Sequence, residues 1–125
     1  MSLLLDTHVL LWCLANPARI RREVSKRLVS PSEMVYVSTV SAWEIEVKRS
    51  LGKLEAPTDF EEQLEAHRFV ALPVHLRHVR ALGTLPRLHA DPFDRMLVAQ
   101  ALADDLVVVT SDEQVRAYPV RTLEA

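Results

Sequence analysis

Short, continuous runs of apolar residues recur along the chain, separated by segments in which polar and apolar residues mix. Continuous rather than alternating apolar runs are typical of strands in a parallel sheet that is covered on both faces. The runs are residues 3–5, 34–37, 69–72 and 106–109, with a weaker fifth at 120–123. We therefore expect four or five short strands.

The segments between these runs have the spacing of helices, and several end at proline, asparagine or glycine. The predicted helices are residues 7–15, 19–29, 39–51, 58–67, 76–82 and 92–104, with a short turn after Asp112. Strands that alternate with helices predict right-handed crossovers in a layered α/β/α domain. We therefore predict a single α/β domain over residues 1–125, with a four- to five-stranded parallel sheet flanked by helices.

Composition narrows the class of protein. The chain has 125 residues, of which 49% are hydrophobic and 26% are charged, values that favour one globular domain over a disordered or fibrous chain. Its single cysteine, Cys13, excludes an intrachain disulfide and a multi-cysteine zinc site. Asp6 and His8 interrupt the apolar N-terminus, which has no basic segment before it, so we expect neither a signal peptide nor a membrane span, and a cytoplasmic protein.

The net charge of -2 gives no basic footprint that would hold a nucleic acid by charge alone. If the partner is a nucleic acid, another group has to offset its phosphates. Bound divalent cations are the obvious candidates, because they are often the largest local charges in a site.

Polar side chains follow three of the predicted strands. They are Asp6 after the first strand, Ser38 and Thr39 after the second, and Thr110, Ser111 and Asp112 after the fourth. In open parallel sheets, ligands bind outside the carboxyl ends of the strands. Asp6 and Asp112 are also ordinary helix N-caps, so position alone leaves their role open.

Glu44 is more informative, because it lies on the side of its predicted helix that faces the protein. At about 100° per residue the helix has one apolar stripe, and Glu44 falls inside its edge. The stripe consists of Val40, Trp43, Val47 and Leu51. A buried lone charge is costly. An ion pair with Lys48, four residues later, is the structural alternative, but it does not explain why Glu44 faces inward.

Two more acids surround the start of the predicted helix at residues 92–104. Asp91 is fully explained as the N-cap, with Pro92 at the first helical position. Asp94 resembles the third-position acid of a capping box, but it also projects from the helix N-terminus toward the carboxyl edge of the sheet. We therefore interpret Asp94 as functional and Asp91 as mainly structural.

Carboxylates that lie close together repel one another unless a cation neutralises them. Oxygen ligands suit hard cations such as Mg²⁺, and such ions activate water and stabilise charge on a phosphodiester. The hypothesis is a metal-dependent site built from Asp6, Glu44, Asp94 and Asp112. The remaining histidines have no convincing ligand pattern, and the helix face that His75 and His78 share is predicted to be solvated.

The sequence resembles the PIN-domain family, specifically the VapC-like ribonuclease toxins of bacterial toxin–antitoxin pairs. The matching motifs span nearly the whole chain in the family's order. They are residues 5–8 (LDTH), 41–48 (SAWEIEVK), 52–54 (GKL), 89–95 (HADPFDR), 99–101 (AQA) and 109–112 (VTSD).

The resemblance implies an endoribonuclease that depends on Mg²⁺ or Mn²⁺, with Asp6, Glu44, Asp94 and Asp112 as the catalytic and metal-binding quartet. Substrate or supporting contacts are then expected from Thr7, Lys48, Asp91, Arg95, Thr110 and Ser111. It also implies a homodimer and a cognate VapB-like antitoxin that binds operator DNA. Two alternatives stay open: a PIN-fold RNA-processing nuclease without an antitoxin, and a non-catalytic PIN-like binding scaffold.

Overall fold

The computed structural model describes residues 2–125, which contain five strands and seven α-helices. The strands are β1 (Ser2–Leu5), β2 (Met34–Ser38), β3 (Val70–Leu72), β4 (Val107–Thr110) and β5 (Thr122–Glu124). The helices are α1 (Thr7–Ala15), α2 (Arg22–Leu28), α3 (Thr39–Ser50), α4 (Phe60–Ala66), α5 (Leu76–Gly83), α6 (Pro92–Asp104) and α7 (Glu113–Arg116).

The strands form one parallel sheet in the order β3-β2-β1-β4-β5. The central strand β1 pairs with β2 through Leu3 and Val35, and with β4 through Leu3 and Val107. Residues 3–5 have no exposed surface, as expected of a strand that is covered on both faces. The predicted α/β class and parallel sheet are confirmed, with five strands.

Successive residues of β1 face opposite sides of the sheet and enter two separate hydrophobic clusters. Leu3 and Leu5 pack with residues of α1, α2 and α4 on one face. Leu4 packs with residues of α6 and α7 on the other face. Helix α3 contributes Ile45 to the first cluster and Val40 to the second. This arrangement is the predicted α/β/α layering.

The boundaries of several elements differ from the prediction. The helix expected at residues 19–29 begins at Arg22, because Pro17–Arg19 forms a 3₁₀ turn and Ile20 has extended backbone angles. The helix expected at 58–67 spans Phe60–Ala66. By contrast, α1 and α6 have the predicted bounds, since Asp6 and Asp91 cap them through their side chains.

The prediction of an inward apolar stripe on α3 was wrong for Trp43 and Leu51, although Val40 is buried as predicted. Trp43 and Leu51 are 60% and 62% exposed. The buried residues of the helix are Val40, Ser41, Glu44 and Ile45. Trp43 instead packs edge-to-face against Phe93 of α6, with ring centroids 4.9 Å apart.

Helix α5 packs against α6 around a buried histidine. His78 has no exposed surface, so the predicted solvated face was wrong for this residue. Its Nδ1 accepts a hydrogen bond from the backbone N–H of His75 (2.9 Å). Its Nε2 therefore carries the proton and donates to Asp104 Oδ2 at 2.9 Å. None of the helices in residues 2–125 combines the length and apolarity needed to cross a bilayer.

Candidate active site at the carboxyl edge of the sheet

Asp6 lies at the end of the central strand and is only 4% exposed. Its Oδ1 accepts a hydrogen bond from the backbone N–H of Val9 at 2.8 Å, so the residue does cap α1. Its Oδ2 accepts a hydrogen bond from the hydroxyl of Thr110, at the end of β4. That hydroxyl in turn accepts from the backbone N–H of Asp112 at 3.0 Å. Burial raises the pKa of Asp6.

Glu44 is the second buried acid, at 2% exposure. Thr7 donates its hydroxyl to Oε1 at 2.7 Å, and that hydroxyl lies 3.0 Å from the Ser41 hydroxyl. The ammonium of Lys48 lies 2.5 Å from Oε2. The expectation that Glu44 faces the protein interior is confirmed, and the ion pair with Lys48, which was the structural alternative, also forms.

Lys48 is the cation nearest the acids of α3 and α6. Its hydrogen bond to Glu44 is the main cause of its raised pKa, and the negative charges of Asp91 and Asp94 act in the same direction. The side chain is 39% exposed. Its ammonium therefore sits between the buried Glu44 carboxylate and solvent, on the side of Asp91 and Asp94.

The start of α6 holds Asp91 and Asp94 by different contacts. Asp91 Oδ1 accepts from the backbone N–H groups of Phe93 (2.8 Å) and Asp94 (3.3 Å), which is the predicted cap. Asp94 Oδ2 lies 3.1 Å from Nε2 of His89.

Burial raises the pKa of Asp94 to about 6, and the charges of Asp91, Glu44 and Asp112 add to the effect. Asp112 acts in the same direction on Asp6. These charge interactions link four acids into one group, named here the acidic quartet: Asp6, Glu44, Asp94 and Asp112. Their ligating atoms are not preassembled into one tight shell. Within residues 2–125, the group whose ligating atoms all lie within 4.8 Å of one another is His89, Asp91 and Asp94.

Sequence reasoning missed His89. The available signal was its position two residues before the Asp91 cap and five before Asp94. The backbone of His89 is fixed by Tyr118, whose hydroxyl accepts from the His89 N–H (3.0 Å) and lies 3.3 Å from the His89 carbonyl oxygen. The guanidinium of Arg95 donates to the same Tyr118 hydroxyl and to the Pro86 carbonyl.

The other predicted contacts fall into two groups. Thr7 and Thr110 are buried and hydrogen-bonded to carboxylates of the quartet. Ser111 is exposed beside Asp112. A role for Arg95 in phosphate binding stays a prediction, since its guanidinium contacts the loop before α6. A supporting role for Ser111 stays a prediction as well.

The family model for the PIN domain matches residues 3–120. The chain belongs to the PIN domain family. This membership confirms the family inferred from the motifs. No curated protein matches the sequence of this PIN domain.

Solved structures of three bacterial complexes share the fold of this PIN domain. VapBC2 from Rickettsia felis, bound to a DNA fragment from its promoter, aligns at 14% identity with a TM-score of 0.73 over 98% of each chain. FitAcB from Neisseria gonorrhoeae aligns at 21% identity with a TM-score of 0.64, over 98% of this chain and 96% of the other. VapBC-1 from nontypeable Haemophilus influenzae aligns at 18% identity with a TM-score of 0.64, over 99% of this chain and 98% of the other. At these identities the likeness shows the fold alone.

The raised pKa of Asp94 leads us to expect a pH-dependent stability in the metal-free protein. Its folded pKa of about 6 exceeds the ordinary 3.8, so the folded state binds more protons, and the free energy of unfolding falls as the pH rises through this window. We expect metal-free Asp94→Asn to be more stable than the parent at pH 7, by on the order of 2 kcal/mol, and about equal near pH 4. Urea unfolding in chelator at both pH values measures this. An equal difference at the two pH values would contradict it.

Proposed function

We propose that this PIN domain is an endoribonuclease that depends on Mg²⁺ or Mn²⁺ and acts as the toxin of a VapBC-type toxin–antitoxin pair. The observation that carries the proposal is the surplus of negative charge around Asp94. Burial and three neighbouring acids raise its pKa to about 6. Acids that raise one another's pKa at the ligand-binding edge of a parallel sheet are costly to the fold unless a cation joins them.

The donor set of the acidic quartet fits a hard divalent cation. All four side chains offer carboxylate oxygens, the ligands that Mg²⁺ and Mn²⁺ prefer. Asp6, Glu44, Asp94 and Asp112 would hold the ion or ions. A cation bound there supplies a water nucleophile at neutral pH and stabilises charge on the scissile phosphate.

The chain's own residues prepare these carboxylates before any ligand arrives. The Thr110 hydroxyl orients Asp6 while the backbone N–H of Asp112 holds that hydroxyl. Thr7 orients Glu44 in the same way. Such hydrogen bonds fix the orientation of the two carboxylate groups, so less reorganisation is needed when a cation binds.

We further propose that Lys48 and Arg95 contact the RNA backbone, and that Ser111, beside Asp112, holds a water or a carboxylate. The exposed part of the Lys48 side chain supports this for that residue, because an ammonium beside the acids attracts a phosphate to the reacting edge. The net charge of -2 leaves little long-range attraction for RNA. Binding is therefore expected to depend on metal and on these few contacts.

The proposed partners come from the similar structures. The Rickettsia felis and Haemophilus influenzae structures are VapBC complexes, and the former includes promoter DNA. We propose a cognate VapB-like antitoxin that carries the operator-DNA contact, a homodimer of this chain, and action in the cytoplasm. The alternatives are a nuclease without an antitoxin and a non-catalytic scaffold, and both are outcomes of the following experiment.

Expressed alone, the chain is expected to arrest growth and to create new RNA 5′ ends, whereas co-expression with its genomic neighbour restores growth. Glu44→Gln is expected to lower the yield of new 5′ ends at least about 100-fold, because it removes a proposed metal ligand. Glu46→Gln is the matched control on the exposed face of the same helix. Mapping of 5′ ends and growth curves measure both. Normal growth with an intact transcriptome would contradict the toxin, and cleavage that the neighbour does not suppress would favour the antitoxin-free nuclease.

A further inference from the structure

Three side chains around the start of α6 converge on one point. His89, Asp91 and Asp94, named here the α6 entry cluster, each bring one ligating atom within 4.8 Å of the other two. All three are partly buried. The histidine distinguishes this cluster from the all-carboxylate quartet, with which it shares only Asp94.

The spacing within the α6 entry cluster suits a shared cation. His89 Nε2 and Asp94 Oδ2 are 3.1 Å apart. Two neighbouring ligands of an octahedral ion, each about 2.1 Å from it, are about 3 Å apart. Asp91 uses Oδ1 for the helix cap, and its Oδ2 accepts no hydrogen bond from residues 2–125, so that oxygen remains available.

Lysine and arginine side chains balance the charge of the cluster only at a distance, since Lys48 interacts electrostatically with Asp91 and Asp94 without contacting them directly. Lys48 forms its ion pair with Glu44. Within the described chain, neither Asp91 nor Asp94 has an ion pair with a lysine or an arginine. The imidazole of His89 is the side-chain partner of Asp94, with Nε2 3.1 Å from Oδ2.

The loop that carries His89 is held on two sides. The Tyr118 hydroxyl contacts both the N–H and the carbonyl oxygen of His89, and Arg95 contacts that hydroxyl and the Pro86 carbonyl. A loop fixed by these contacts presents the imidazole in one position. Ligands that are held in place before the ion arrives lose little entropy on binding it.

We propose that the α6 entry cluster is a divalent-cation site with one nitrogen and two carboxylate ligands, and that His89 makes it prefer late first-row transition metals such as Co²⁺ over Mg²⁺. Imidazole nitrogen binds these metals well, whereas Mg²⁺ prefers oxygen. The link to catalysis rests on the proposed function through Asp94, but binding of the ion does not require RNA cleavage.

The test is direct metal binding to the purified protein. His89→Ala is expected to weaken Co²⁺ binding at least about tenfold and to change Mg²⁺ binding less than about threefold. Calorimetry gives both affinities, and visible absorption of bound Co²⁺ reports on its ligands. His75→Ala is the matched control, because His75 is an exposed histidine that belongs to neither the acidic quartet nor the α6 entry cluster.

Each outcome decides the proposal. If His89→Ala weakens both ions equally, His89 only orients Asp94 through a hydrogen bond and the nitrogen site is wrong. If it weakens neither, or if the parent protein binds no Co²⁺, the site is also wrong. If Glu44→Gln loses Mg²⁺ binding and His89→Ala changes the binding of neither ion, the quartet site stands and the proposed α6 entry cluster site is wrong. Co²⁺ binding that depends on His89 in a protein that cleaves no RNA would keep the cluster while the nuclease proposal fails.

Discussion

Asp94→Asn is expected to lower the rate of metal-dependent RNA cleavage at least about 100-fold, which is about 2.7 kcal/mol of transition-state stabilisation. Asp94 interacts with three other acids of the site, because the charges of Asp91, Glu44 and Asp112 all raise its pKa. Asparagine has nearly the same shape but carries no charge, so it is a poorer ligand for a hard cation. The measurement is the rate of cleavage of single-stranded RNA by purified protein in Mn²⁺ and in chelator.

The control for this variant is Asp105→Asn, at the opposite end of α6. Asp105 has left-handed backbone angles, which asparagine tolerates, and its carboxylate pairs with Arg121 in an exposed position. Full cleavage is expected there. Urea unfolding of Asp94→Asn under the assay conditions shows whether a loss of activity comes from unfolding. Cleavage at the parent rate by Asp94→Asn would remove this residue from the proposed site.

The sequence predicted the layered fold because the signals for the central elements are local. Residues 3–5 are continuously apolar, and they form the strand that is covered on both faces. The Asp91–Pro92 pair gave the start of α6 correctly, because an N-cap and a proline at the first helical position depend on adjacent residues only. Where the geometry depended on a turn, as at Pro17–Arg19, the predicted helix started too early.

The error on α3 has a different cause. Amphipathic patterning assumes that the face toward the protein is apolar, but α3 begins at the carboxyl edge of the sheet, where Ser41 and Glu44 are buried. Their burial is possible because Thr7, which follows β1, contacts both side chains. That partner lies more than thirty residues away in sequence, so no local pattern on α3 reveals it. Trp43 is then left to pack against Phe93.

The histidines show the same limit. The backbone N–H of His89 donates to the hydroxyl of Tyr118, 29 residues later in the chain, and His78 donates to Asp104, 26 residues later. A histidine in a helical pattern does not indicate whether its face will meet solvent or another helix. For these residues, the tertiary contacts decide burial and role.

His78→Ala is expected to lower the free energy of unfolding by about 2–4 kcal/mol. The substitution removes a ring with no exposed surface and leaves a cavity between α5 and α6. It also removes the acceptor of the His75 N–H and the donor to Asp104. Buried polar groups that lose their partners add their desolvation cost to that of the cavity. Urea unfolding followed by circular dichroism measures the change.

Arg77→Ala is the matched control for His78→Ala, because both side chains contact the same carboxylate of Asp104. Arg77 donates two hydrogen bonds to it, at 2.7 and 3.1 Å, but its own side chain is about half exposed. Arg77, with His78, holds the pKa of Asp104 at about 2. After loss of Arg77 water still solvates the groups left behind, so a much smaller change in stability is expected than for His78→Ala. Equal losses in the two variants would mean that the surface ion pair, rather than the buried imidazole, joins α5 to α6.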